Sequence, residues 1–213
     1  MSRECEKIHE LVNAKRRHRF PFVKEEIPDN GISVMFEEGE EAHGGSRIVW
    51  VGTHSQPDRL PGRLQDHLRS NKDGSILRKS IGGALLAARA DRYAEAWELN
   101  TSSREQRSDP RVDAARQREI EAEVTSFIED RLSFTVLPFD SVADRAFYQA
   151  KLLATIAQCS ACEPSEQWPG IHSPSEKIRT YGLWQVQRVR GQPFTATELV
   201  EFMERIPARD RGL

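Results

Sequence analysis

Two runs of β-branched and aromatic residues, "GISVMFEE" from Gly31 and "SRIVWVGT" from Ser46, lie close together with Gly39, Gly44 and Gly45 around their junction. Branched and aromatic side chains fill a pleated surface well, and glycine lets the chain reverse. The pattern predicts an antiparallel hairpin whose connecting loop is longer than the tight two-residue type. A lone hairpin buries too little apolar surface to persist in water, so the remaining chain must supply another strand or helices to cover it.

Those covering elements can be read in order. From Ser2 to Phe20, Cys5, Ile8, Leu11 and Val12 recur at helical spacing ahead of the basic run "KRRHRF", and Pro21 closes the segment as an amphipathic helix. "PGRLQDHLRS" reads as a short helix, and "GSILRKSIGGALLAARADRYAEAW" as further helix interrupted at Gly82-Gly83. Asn100 to Asp109 reads as an exposed loop. Ile120, Val124, Phe127, Ile128 and Leu132 again keep helical spacing, "SFTVLPF" is a third strand, and Asp140 or Ser141 caps the helix after it. A Pro-rich loop from Glu163 to Ser175 and an irregular "KIRTYGLWQVQRV" lead to a last helix, for which Thr195 and Glu198 form a capping box. The expected fold is α+β, a small three-stranded antiparallel sheet flanked by helices, with an N-terminal helix and a C-terminal extension. The expected division is 1–28 for the helix and linker, 29–160 for the central domain, and 161–213 for an extension packed on it.

Composition narrows the class. With 213 residues, 38% hydrophobic and 30% charged, the chain suits a soluble globular protein with one substantial core. It has no apolar run of membrane-spanning length, and "MSRECEKIHE" has no signal-peptide core, so a cytoplasmic protein without a membrane partner is expected. Three cysteines fit a reducing compartment better than a disulfide framework. The net charge of −2 does not decide for or against nucleic acid, but cations cluster locally. Arg63, Arg69, Lys72, Arg78 and Lys79 form one zone, and the stretch from Lys177 to Arg190 has four cations and no acid. Nothing in the sequence specifies an oligomeric state.

The helix "SVADRAFYQAKLLATIAQC" carries an apolar stripe through Val142, Ala146, Ala150, Leu153 and Ala157, with Gln149 inside the same arc. A buried amide needs partners for its donors and its acceptor. Gln149 is therefore either a satisfied core residue or a functional one.

In order and spacing, "NGISVMFEEGE", "RIVWVGTH", "LPGRLQDHL" and "SFTVLPF" followed by "LLATIAQ" resemble the layout of GIY-YIG nucleases. "PSEQWPGIHSPSEKIRTYGLWQVQRV" is similar to the C-terminal part of uncharacterised bacterial GIY-YIG domain proteins, so the resemblance spans residues 29–190. It implies a GIY-YIG-like sheet flanked by helices that hydrolyses DNA phosphodiester bonds with Mg2+. In such a site a tyrosine helps activate water, an arginine stabilises phosphate charge and a glutamate holds the metal. Arg63 matches the arginine and Gly52 the glycine of the second signature. His67, one helical turn after Arg63, could accept a proton or contact phosphate, and His54 could replace a lost base. Ser33 and Trp50 stand where the signature tyrosines belong, and Gln149 where the metal-binding glutamate belongs. A serine hydroxyl has a far higher pKa than a phenol, an indole only donates, and a neutral amide is a poor ligand for a hard dication. The resemblance thus implies either a metal-dependent endonuclease or a module of the same fold that binds nucleic acid or a protein partner without cleavage.

Two further features remain. Tyr181 and Trp184, near Arg179 and Arg188, could form a nucleic-acid surface or anchor the tail in the core. Cys159 and Cys162 form a C-x-x-C, but with Cys5 the only other cysteine a closed zinc site would have to recruit a residue such as His172, so the spacing points away from zinc.

Overall fold

The computed structural model describes residues 2–69 and 71–206. Helix α1 (Arg3–Asn13) starts where the Ser2 side chain accepts the Cys5 N–H, and it buries Cys5, Ile8, His9 and Val12. The expected continuation to Phe20 does not occur. The chain leaves the helix after Asn13, and His18–Arg19 forms a short strand, β1, against Phe134 and Ser133. Arg17 lies over the Phe36 ring at 3.4 Å and Phe20 meets Phe134 at 4.9 Å. These sheet contacts hold the basic run in extended form, and helical periodicity could not foresee them.

The sheet also contains β2 (Gly31–Ala42), β3 (Gly45–Gly52) and β4 (Leu132–Pro138), in the order β1-β4-β2-β3 with antiparallel pairing throughout. It has four strands rather than the three expected. The connection between β2 and β3 is the two-residue turn His43–Gly44, with φ of 53° and 75°, and not a longer loop. β2 reaches this turn because shifts in pairing between Phe36 and Glu41 absorb Gly39, at φ 86°, within the strand. A second irregularity pairs Phe36 with Ile48 but Met35 with Trp50, leaving Val49 as the extra residue of a bulge.

The remaining helices are α2 (Leu60–Asp66), α3 (Ile76–Ala88), α4 (Ala94–Trp97), α5 (Arg104–Arg107), α6 (Ala114–Arg131), α7 (Val142–Ala157), α8 (Glu176–Tyr181) and α9 (Ala196–Glu204). α3 passes unbroken through Gly82-Gly83. A Cβ on Gly82 would sit 2.3 Å from the Trp97 ring, so the glycine is there for close packing and not as a break. α5 lies inside the segment expected to be a loop and is closed by a capping box between Ser103 and Gln106. Among the described residues no helix is long and apolar enough to cross a membrane.

Side chains divide across the sheet. Ile8, Val34, Ile48, Leu152 and Phe202 belong to a core that joins α1, α7 and α9 to one face. Leu64, Ile81, Val124, Phe134 and Trp184 belong to the core on the other face, with α2, α3 and α6. β2 is covered on both sides, which explains its nearly continuous apolar run. On α7 the buried face runs through Arg145, Tyr148, Leu152, Leu153 and Ile156. The stripe expected from Val142 to Ala157 is thus only partly core, and Val142 is 45% exposed.

One buried acid makes the stability pH-dependent. Glu37 Oε2 accepts the indole N–H groups of Trp168 and Trp184 at 3.0 and 2.8 Å, while Oε1 has no partner. Burial raises its pKa from 4.5 to about 7, against the opposing pull of the two indoles. The folded chain therefore keeps a proton that the unfolded chain releases from about pH 4.5 upward, and this group's contribution falls as pH rises to about 7. Glu37→Gln should remove that loss. In melting curves from pH 4 to 8, the Tm difference between variant and wild type should rise across this window and level off above it. A difference that does not change with pH would contradict the raised pKa.

Candidate functional site

A cleft of about 350 Å³ opens where β2 and β3 meet α2, α7 and the segment around Gln185. It gathers Ser33, Trp50, His54, Arg63, His67 and Gln149, all six positions singled out from the sequence. Gly52 pairs with Ser33 across the hairpin. A Cβ on Gly52 would come 2.7 Å from Ser33 Oγ and 2.8 Å from Trp50 Nε1, so only glycine lets both groups approach. The Val49 bulge reverses the alternation along β3 and turns Trp50 toward the cleft side of the sheet. Its indole N–H is buried without a partner.

α2 projects Arg63 into the mouth of the cleft. Its side chain is 36% exposed, donates to Gly74 O at 3.2 Å and lies 3.5 Å from Asp66 Oδ2. Arg59 and Arg69 approach the same carboxylate at 4.0 and 3.0 Å. Three guanidinium groups around one acid leave excess positive charge at this edge, and such exposed pairs hold an arginine only weakly. Arg188 also lines the cleft, adopts φ 62° and donates to Ala146 O at 3.4 Å.

The two histidines differ from simple cleft bases. His67 caps the C-terminus of α2, is buried, and has Nδ1 2.8 Å from Ser75 Oγ. Burial, with smaller contributions from the Arg63 and Arg78 charges, lowers its pKa to about 3. It is a neutral ring at physiological pH and cannot contribute positive charge to a phosphate. His54 Nδ1 donates to Gln56 O at 2.6 Å and Nε2 accepts from Gly31 N–H at 3.3 Å, while burial lowers its pKa. Both of its nitrogens are occupied in joining the loop after β3 to the start of β2.

Gln149 is half-buried, and its Nε2 donates to Val51 O at 3.0 Å. Gln185 completes the arrangement, accepting Val51 N–H at 2.8 Å and donating to Val51 O at 3.3 Å. β3 is an edge strand, and the two glutamines satisfy its exposed polar groups at Val51. Among the described residues lining the cleft none is Asp or Glu. A hard divalent cation bound by protein needs carboxylate oxygens, so these residues do not fit Mg2+.

Other charged and aromatic residues have roles that the sequence did not reveal. Lys72 and Arg78 are buried, so the basic zone is only partly surface, and Trp184 is wholly buried and cannot stack on a base. Arg78 donates to Glu121 Oε2 through Nε at 2.9 Å and Nη2 at 2.6 Å, and to His67 O through Nη1 at 2.9 Å. Arg145 is buried against the carbonyls of Phe139 and Asp140 at 2.9 and 2.6 Å, with Nη2 unpartnered. A charged residue inside a helical pattern looks like solvated surface until its partner, distant in sequence, is placed beside it.

Two substitutions test this geometry. Arg78→Met strands the Glu121 carboxylate and should destabilise the fold by about 3–5 kcal/mol in denaturant melts. Gln149→Glu replaces a donor to Val51 O with an acceptor and should cost about 1–3 kcal/mol, whereas a gain in stability would contradict the hydrogen bond.

No curated protein and no solved structure matches the chain. Residues 3–210 match the model of a family described as the GIY-YIG domain. That match takes in the sheet, the cleft and the elements on both faces. The chain belongs to the GIY-YIG domain family.

Proposed function

We propose that this chain is a nuclease-type GIY-YIG module that holds DNA by its phosphate backbone at the Arg63 cleft, without metal-dependent cleavage. GIY-YIG nucleases act on DNA and generally use a divalent metal, which supports DNA as the partner. The observation that carries the reading is the makeup of the cleft: Arg63 and Arg188 line it, and among the described residues no carboxylate does. Two guanidinium side chains in one cleft suit a polyanion, and with Gln149 engaged to Val51 a metal-binding residue is missing where the family would use one. A serine and an indole at the two signature positions leave no phenol to activate water. An endonuclease remains the second reading, favoured by Arg63 at the family's arginine position with a neutral His67 beside it.

Fluorescence anisotropy with a labelled duplex at several salt concentrations, run beside a supercoiled-plasmid nicking assay with and without Mg2+, separates these readings. Binding should weaken as salt rises. Arg63→Ala should lower affinity similarly for unrelated sequences and reduce the salt slope by about 1. The plasmid should stay intact. Mg2+-dependent nicking that disappears in Arg63→Ala would establish the endonuclease instead, and no binding even at low salt would overturn both in favour of a protein partner.

A further inference from the structure

Away from the cleft, three elements distant in sequence bring together three thiols and an imidazole. α1 supplies Cys5, the β2–β3 turn supplies His43, and the 3-10 turn after α7 supplies Cys159 and Cys162. Their ligand atoms all lie within 4.8 Å of one another. Cys5 Sγ is 3.4 Å from Cys162 Sγ, and His43 Nε2 is 3.5 Å from Cys159 Sγ and 3.4 Å from Cys162 Sγ. A tetrahedral zinc ion with Zn–S of about 2.3 Å and Zn–N of about 2.0–2.1 Å places its ligands about 3.5–3.8 Å apart. Three of the six separations are already close to that size, and the others lie within 4.8 Å. They are too long for a disulfide, whose S–S distance is about 2.05 Å, and all three cysteines are free thiols.

We propose that Cys5, His43, Cys159 and Cys162 form a structural zinc site that ties α1 to the tip of the hairpin and to the C-terminal end of α7. Sulfur-rich donors select a borderline or soft cation over magnesium, and four protein ligands leave no open position for catalysis. The sequence pointed away from zinc because it offered His172 as the fourth ligand. His172 ends a separate 3-10 turn and is not in the cluster, whereas His43, 119 residues from Cys162, reaches it.

The conformation of His43 is an independent indication. It occupies the first of two positive-φ positions in a two-residue hairpin turn, at φ 53°, where Asn, Asp or Gly is the usual choice. Histidine is tolerated at positive φ but is not among the favoured residues of this turn, and here it presents Nε2 to the sulfurs. His9 has a different role. Its Nδ1 donates to Cys5 O at 3.0 Å and its Nε2 accepts from Ile48 N–H at 3.4 Å, while Cys5 Sγ and Cys162 Sγ lie farther from these nitrogens, at 3.6 and 4.0 Å, so both nitrogens serve the backbone first. It is a positioning residue, its ring tilted by 44° and centred 4.8 Å from the His43 ring.

The test uses the full chain, carrying no histidine tag and purified under reducing conditions, with metal content measured by inductively coupled plasma mass spectrometry. One zinc per chain is expected, and cobalt replacing it should show thiolate-to-metal charge transfer and the visible bands of a tetrahedral site. His43→Asn places the favoured Asn-Gly pair in the turn, so turn chemistry alone predicts equal or higher stability. Loss of a ligand predicts the reverse: zinc content well below one and a lower Tm. His43→Cys should retain the metal. Wild-type protein that contains no zinc and takes up no cobalt, or that has a Cys5–Cys162 disulfide in its native mass, would overturn the proposal, as would His43→Asn with full zinc content and an unchanged Tm.

Discussion

The Arg78 guanidinium is completely buried between α3 and α6, and the position of α2 depends on how that charge is neutralised. Glu121 provides two contacts from its carboxylate and a third from its backbone carbonyl. Thr125 and the carbonyl of His67 take the remaining donors, and the other carboxylate oxygen of Glu121 accepts the Lys72 N–H. A buried ion pair gains little net stability over an apolar pair of similar shape, but its many directional bonds allow only one arrangement of the helices around it. Through His67 O the network fixes the last turn of α2, and with it the direction in which Arg63 enters the cleft.

The same solution recurs at the hairpin. Arg47 and Glu40 form a buried pair across β2 and β3, Arg47 also reaches Gly182 O, and Ser165 donates to Glu40. The tail after α7 is thereby joined to the sheet by polar bonds as well as by Trp168 and Trp184 on Glu37. The cleft uses a neutral version of this device. Gln149 and Gln185 close the polar edge of β3 at Val51, so α7 is bonded to the edge strand. An uncharged amide suits this place, because an ionised carboxylate cannot join Gln185 in donating to Val51 O.

Much of the architecture could be read from local signals. The hairpin strands, β4, α6 and the caps at Ser141 and Thr195 follow from β-branched runs, 3.6-residue spacing and N-cap chemistry, all of which act within a few residues. The errors fall where a distant contact overrides the local pattern. β1 replaces the end of the first helix because Arg17 and Phe20 find Phe36 and Phe134. Gly82 does not break α3 because Trp97 occupies the space that a side chain would need. The Val49 bulge adds one residue to β3 that alternation cannot reveal, yet it decides which way Trp50 faces.

The sequence by itself determined the α+β class and the order of the main elements, since these depend on local propensity, and its resemblance to a family pointed to six residues that line the cleft. Tertiary structure decided what those side chains can do. Burial keeps His67 neutral, backbone partners occupy both nitrogens of His54, and Val51 engages Gln149. It also brought His43 to three cysteines from opposite ends of the chain. The charge state of a group and the partners of a polar atom are set by neighbours in space, and for these residues those neighbours are far away in sequence.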